Sequence, residues 1–125
     1  MMEQLLIVFL GGGVGACSRY LIAQFANAKW GADFPIGTFL ANIIGCFIIG
    51  FFMAAITEKY IINPHWRLFV VVGFVGGLTT FSSFSYESIQ LLQNSGLNIA
   101  MANILANMVI GFTATWLGMM LVRFI

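Results

Sequence analysis

Charge is the scarcest property of this sequence: five Lys and Arg and four Asp and Glu are spread over 125 residues, 7% in all, for a formal net charge of +1. No basic field exists to attract nucleic acid or an acidic partner, so nucleic-acid binding is excluded. Histidine is nearly absent too. The single His65 falls in a polar segment, which removes bis-histidine haem ligation and any metal site built on two histidines. Cys17 and Cys46 lie inside apolar stretches without a Cys-x-x-Cys spacing, and read as small packing residues instead of a disulfide or metal pair. No Lys or Arg precedes the first apolar run, where Met1-Met2-Glu3-Gln4 carries an acid. Val14-Gly15-Ala16-Cys17, which looks like a lipoprotein cleavage site, is therefore expected to be retained. No trio of nucleophile, base and orienting group can be assembled, so an enzyme is not expected.

What fills the chain is apolar surface, 61% hydrophobic residues with a mean hydropathy of +1.00. A soluble domain of this length could not cover itself with so little polar surface, which leaves an integral membrane protein. Four uncharged or nearly uncharged runs, about 5–26, 36–57, 68–92 and 97–122, each supply the ~20 residues that a ~30 Å hydrocarbon core demands of a helix. The expectation is a single all-α domain of four transmembrane helices. Polar breaks separate them at Asn27 to Asp33, Glu58 to Arg67 and Asn94-Ser95-Gly96, and Pro35 is placed to open the second helix. Four spans put both termini on one side. Lys59, Arg67 and Arg123 then share that side, while Lys29, with Arg19 near the end of span one, faces the other. So weak a positive-inside bias permits insertion in either orientation and hence an antiparallel homodimer.

Small residues recur at four-residue spacing: Gly11 and Gly15 in span one, Gly37, Ala41 and Gly45 in span two, Gly73 and Gly77 in span three. Lipid gives helices no hydrophobic reason to associate, so such ladders predict a bundle packed backbone to backbone. In span three, Gly76-Gly77 followed by Leu78-Thr79-Thr80-Phe81-Ser82-Ser83-Phe84-Ser85 weakens an α-helix at mid-membrane. Two readings stand open there. A broken helix frees carbonyl oxygens that protein, water or a cation must satisfy. An unbroken one bonds its Ser and Thr hydroxyls back to i−4 carbonyls.

Phe81 and Phe84 are three residues apart and share a helix face, with Thr79, Ser82 and Ser85 tracing an adjacent polar stripe. Phenyl edges are electropositive and attract an anion without a buried Lys or Arg; packing is the alternative role for both rings. Asn42, mid-span, either donates its amide to an anion or pairs across a helix interface. Asn103, Asn107, Gly111 and Thr115 recur every fourth residue and line one face of span four, as a wet pathway or a polar helix contact would. Arg19 and Glu87 are the ionisable residues set within spans, positioned either to pair or to snorkel separately.

One enzyme-like pattern is present. Gly11-Gly12-Gly13-Val14-Gly15-Ala16 fits the Gly-x-Gly-x-x-Ala dinucleotide fingerprint after the run Leu5 to Leu10, with Asp33 further on. No βαβ alternation follows, and the remaining chain is three apolar runs of helical length, so the pattern belongs to helix packing.

Gly76-Gly77-Leu78-Thr79-Thr80-Phe81-Ser82-Ser83-Phe84-Ser85, together with Gly11-Gly12 through Gly15 to Arg19-Tyr20 and Gly37-Thr38 through Asn42 to Gly45, resembles the CrcB/Fluc family of small microbial fluoride channels over nearly the whole chain. The resemblance implies an antiparallel, dual-topology homodimer in the cell membrane with two fluoride pores. It also implies a structural Na⁺ held at the dimer centre by backbone carbonyls of both subunits, here those of Gly76 and Thr79. Phe81 and Phe84, given to each pore by different subunits, would present ring edges to fluoride. Asn42 would donate its amide, and Thr38, Ser82, Ser83 and Ser85 would add hydroxyls. Asn103 and Asn107 stand where the family's polar track uses Tyr or Ser, and Gly111 lacks a side-chain hydroxyl. Fluoride would shed water only where these groups replace it, and several weak sites would let it leave. Transport would be passive, since no nucleotide motif or mid-membrane acid is present to couple it. An exporter of the small multidrug-resistance type needs a carboxylate within span one, and Glu3 is too terminal; a non-transporting scaffold is the third reading.

Overall fold

The computed structural model describes residues 1–125 and is entirely helical, with four helices long and apolar enough to cross a membrane: Met2–Trp30, Ile36–Lys59, Pro64–Asn94 and Leu97–Phe124. All four run beyond the apolar ranges drawn from composition, because backbone stops end them and polarity does not. The first helix continues through Asn27 and Lys29 until Gly31, whose φ of 81° is open to glycine alone; its N–H closes the helix on the Asn27 carbonyl. Lys29 there lies 5.0 Å from the Trp30 ring and 5.7 Å from Phe25, an aromatic-cationic cluster suited to the lipid headgroup level.

Pro35 caps the second helix, which is α-helical to Ala54 and then widens through Ala55–Lys59, closing with an i→i−5 bond from Tyr60 N–H to the Ala55 carbonyl at 2.8 Å. Asn63 starts the third span: its side chain accepts the His65 N–H at 2.9 Å and Pro64 takes the first helical position. One turn later the helix widens again over Leu68–Val75. Gly96, at φ 102°, separates the third span from the last.

The third span is broken, in favour of the first of the two readings for its hydroxyl-rich segment. The break is not at the glycine pair, however. Gly76 keeps helical angles (φ −60°, ψ −37°) and Gly76–Leu78 remains α-helical; Thr79 (φ −84°, ψ 153°) and Thr80 (φ −149°, ψ 123°) are the extended residues, and a second arm, Phe81–Asn94, begins after them. Capping decides the position. Thr80 Oγ1 accepts the Ser83 N–H at 3.2 Å and so supplies the start of the new helix, which glycine cannot do.

Glycines seat the helices. A Cβ on Gly11 or Gly15 would collide with the carbonyl oxygens of Phe69 or Phe74, and one on Gly77 with that of Gly12, so the first helix and the first arm of span three (64–78) touch at their backbones. The second and fourth helices meet in the same manner at Gly50 against Thr115 and at Gly118 against Phe47. The Gly11–Ala16 pattern is thus a packing seam. Only 21 of 125 residues are buried, and large apolar side chains such as Phe9, Phe25, Phe112 and Phe124 point outward, which is the surface a lipid-facing bundle shows.

Candidate ion pathway

Breaking the third span leaves Thr80 with two backbone groups to satisfy inside the bilayer, and Asn42 satisfies both. Its Nδ2 donates to the Thr80 carbonyl at 3.1 Å, and its Oδ1 accepts the Thr80 N–H at 2.8 Å. Of the two roles open to Asn42, this one is structural: it splints the break from the neighbouring helix. The Thr80 N–H is the donor an unbroken helix would give to the Gly76 carbonyl, so the splint also releases that carbonyl, on a residue exposed at the bundle surface.

From Asn42 a line of amides runs into the fourth helix. Asn42 Nδ2 lies 3.5 Å from Asn107 Oδ1, Asn107 Nδ2 donates to Asn103 Oδ1 at 3.1 Å and to the Asn103 carbonyl at 2.9 Å, and Asn103 Nδ2 donates to Ser88 Oγ at 2.9 Å. Ser88 Oγ in turn donates to the Phe84 carbonyl at 2.7 Å. Asn103 and Ser88 are almost fully buried, 1% and 4% exposed, and their bonds to each other account for two polar groups that would otherwise be costly there. Ser88 and Thr80 were not among the residues selected from the sequence. Thr is a favoured N-cap residue and Ser88 lies one turn after Phe84, so both signals were present but local; what they meet is tertiary.

Phe81 and Phe84 stand together with ring centroids 5.6 Å apart and planes at 59°. Their environments differ sharply: Phe84 is 6% exposed and Phe81 72%. The two rings, the Asn42 and Asn107 amides, Thr80 and Gly111 border one cavity of about 320 Å³ between the second, third and fourth spans. Among the expected hydroxyls, Ser82 Oγ is 3.1 Å from Thr80 Oγ1, Ser83 turns toward the first helix, and Ser85 is exposed. The stripe of Thr79, Ser82 and Ser85 does not form, because Thr79 precedes the new helix and its Oγ1 donates back to the Val75 carbonyl at 2.9 Å.

A second cavity gathers Arg19, Tyr20, Thr38, Ser83 and Glu87. Arg19 and Glu87 do not pair. Arg19 Nε donates to the Gly77 carbonyl at 3.0 Å, holding another acceptor just before the break, and Thr38 Oγ1 donates to Glu87 Oε1 at 2.8 Å. Glu87 Oε2 is enclosed without a partner in the chain. The only close carboxylate–guanidinium contact in the molecule is remote from both cavities, between Glu58 and Arg123 at 3.1 Å.

Four apolar crossings, one of them broken and splinted by amides around a shared cavity, define a small multi-pass membrane protein. The sequence matches the family described as CrcB-like protein, Camphor Resistance (CrcB), across residues 6–119. It is 45% identical over 118 residues to the fluoride-specific ion channel FluC of Solibacter usitatus (strain Ellin6076), covering 94% of this chain and 97% of the relative. It is 42% identical over 122 residues to that of Citrifermentans bemidjiense, covering 98% of each, and 47% identical over 103 residues to that of Clostridium perfringens (strain 13 / Type A), covering 82% and 80%. The chain belongs to the CrcB family.

Proposed function

We propose that the protein is a passive fluoride channel that lets fluoride leave the cell down its gradient and so lowers its cytoplasmic load. The observation that carries this reading is the cavity where Phe81 and Phe84 meet the Asn42 and Asn107 amides, in a chain of the family whose relatives are named fluoride-specific channels. Ring edges and the second Asn42 N–H stabilise a small anion without a fixed charge that would hold it too tightly to leave, while Asn107 gives its own Nδ2 to Asn103. Asn42 keeps one N–H on Thr80, and its second points along the long 3.5 Å approach to Asn107, the contact a fluoride ion would replace most cheaply.

The working unit is an antiparallel homodimer. Phe81, 72% exposed, has no neighbour of its own chain covering it and is free to pack against a second copy, and the weak charge bias of the loops permits either insertion. Backbone carbonyls of Gly76 and Thr79 fit a central Na⁺ in chemical type, being uncharged hard oxygen donors, and the Gly76 carbonyl is the one that the break releases. Such an ion would tie the two breaks together and take no part in permeation.

The test is fluoride efflux from liposomes holding purified protein, followed with a fluoride electrode, beside chloride efflux from matched vesicles. Rapid fluoride loss with negligible chloride loss is the expected result. Equal rates for both ions, or none for fluoride, would reject the reading.

A further inference from the structure

Gly111 is the one buried glycine of the bundle that helix packing does not require. At Gly11, Gly15, Gly37, Gly45, Gly50, Gly73 and Gly118 a Cβ would come closer than 3.0 Å to a neighbouring atom, whereas at Gly111 it would meet nothing nearer than Cys46 Sγ at 3.6 Å and Ile43 Cδ1 at 3.8 Å, ordinary contacts. Backbone conformation does not call for glycine either, since positive φ occurs only at Gly31 and Gly96. Within a helix interior glycine is the least favourable residue after proline. What the absent side chain leaves is space, and that space belongs to the cavity bordered by Asn42, Asn107 and Phe84. Asn107 is one turn before Gly111 on the same face, so any side chain at 111 would stand beside the Asn107 amide.

We propose that Gly111 is a width-determining residue of the ion pathway: its missing side chain holds the passage open beside Asn107 and Cys46. This rests on the fluoride-channel reading, but its steric content does not. Cys46 borders the same cavity and serves as a built-in reporter of access. Gly111→Ala and Gly111→Val, prepared in a Cys17→Ser background, are compared with that background for dimer content, fluoride efflux and the rate at which a small water-soluble methanethiosulfonate modifies Cys46.

Gly111→Ala is expected to assemble normally and to lose efflux about threefold. Gly111→Val is expected to lose at least tenfold and to slow Cys46 modification by at least as much. Background rates of efflux and modification in both variants would overturn the proposal, as would failure of Gly111→Ala to assemble, which would return Gly111 to helix packing. Should Gly111→Val fail to assemble, the Ala variant decides alone. If the parent protein carries no fluoride yet Gly111→Val still shields Cys46, the fluoride reading falls and the steric role stands.

Discussion

Glycine lines both the seam between the first and third spans and the cavity among the second, third and fourth, and at Gly111 in that cavity its consequence is the opposite of the seam's. Along the seam, Gly11, Gly15 and Gly77 bring backbone against backbone and leave no volume for a methyl group. At the cavity, Gly111 faces ordinary contact distances and leaves volume unfilled. One seam is closed by main-chain contact; the other region is held by side-chain amides around an opening. A bundle in lipid has to obtain its cohesion from close approach, and it can keep a polar opening only where the surrounding polar groups bond one another. The first–third seam therefore closes the bundle, and the second–third–fourth cavity is the opening that the proposed channel would use.

The largest effect that would test this division is at the seam. Gly15→Leu drives a side chain into the Phe74 carbonyl, a backbone atom with no rotamer by which to yield. Overpacking in a core costs about 1–3 kcal/mol even where neighbours relax, and here they cannot. Size-exclusion chromatography in mild detergent should show no monodisperse protein. A well-folded Gly15→Leu variant with normal efflux would show that the seam is looser than its geometry.

Next come the rings. Phe81→Ala and Phe84→Ala should each reduce fluoride efflux severely, by about a hundredfold, while both variants remain dimeric; a loss of that size corresponds to about 2.7 kcal/mol in barrier height. The exposures of 72% and 6% within one chain sharpen the expectation, because Phe84→Ala empties packing inside each subunit and should lower the thermal midpoint of the detergent-solubilised protein more than Phe81→Ala does. Wild-type efflux in both variants would remove the rings from the pathway.

Much of this division was legible in residue order, and what was not is tertiary. Four crossings follow from hydropathy, and the ladders at Gly11/Gly15 and Gly73/Gly77 announce a close seam because lipid leaves helices few other ways to associate. The break was signalled within its segment, and its exact place was not legible locally: glycine lowers helix propensity at 76 and 77, yet the chain opens just beyond, at Thr79 and Thr80, where Thr80 caps the next helix and Asn42 waits on another. Asn42 lies 38 residues from Thr80 in sequence, so no local pattern could pair them. The same holds for Ser88 and Asn103, and for the failure of Arg19 and Glu87 to pair, each having a nearer partner in Gly77 and Thr38.

Asn42→Ala probes the boundary between the two regions with an intermediate effect. It strands the Thr80 N–H and carbonyl, each worth about 1–3 kcal/mol when left unsatisfied, and it removes an amide from the cavity wall. Both thermal stability and efflux should fall, efflux by about tenfold. Asn42→Asp keeps the acceptor for the Thr80 N–H but replaces the donor, placing a carboxylate in the proposed anion path, and should recover part of the stability without the efflux. Parallel recovery of both properties would mean that Asn42 acts on permeation only through the break.

The smallest effect is expected where charge is most visible. Arg123 binds Glu58 through Nη2 at 3.1 Å and Nε at 3.3 Å, joining the last turn of the fourth helix to the widened end of the second. That geometry is bidentate, but the Arg123 side chain is 54% exposed and Glu58 34%, at the aqueous end of the bundle, where solvent and salt screen the pair. Glu58→Gln keeps the shape and one acceptor, so efflux should match wild type, and the thermal midpoint should move by much less than in Asn42→Ala, with the small difference vanishing in high salt. Should Glu58→Gln cost as much efflux as Asn42→Ala, this end of the bundle would have to be coupled to the cavity through the second helix, and the separation of assembly from permeation would fail at its simplest point.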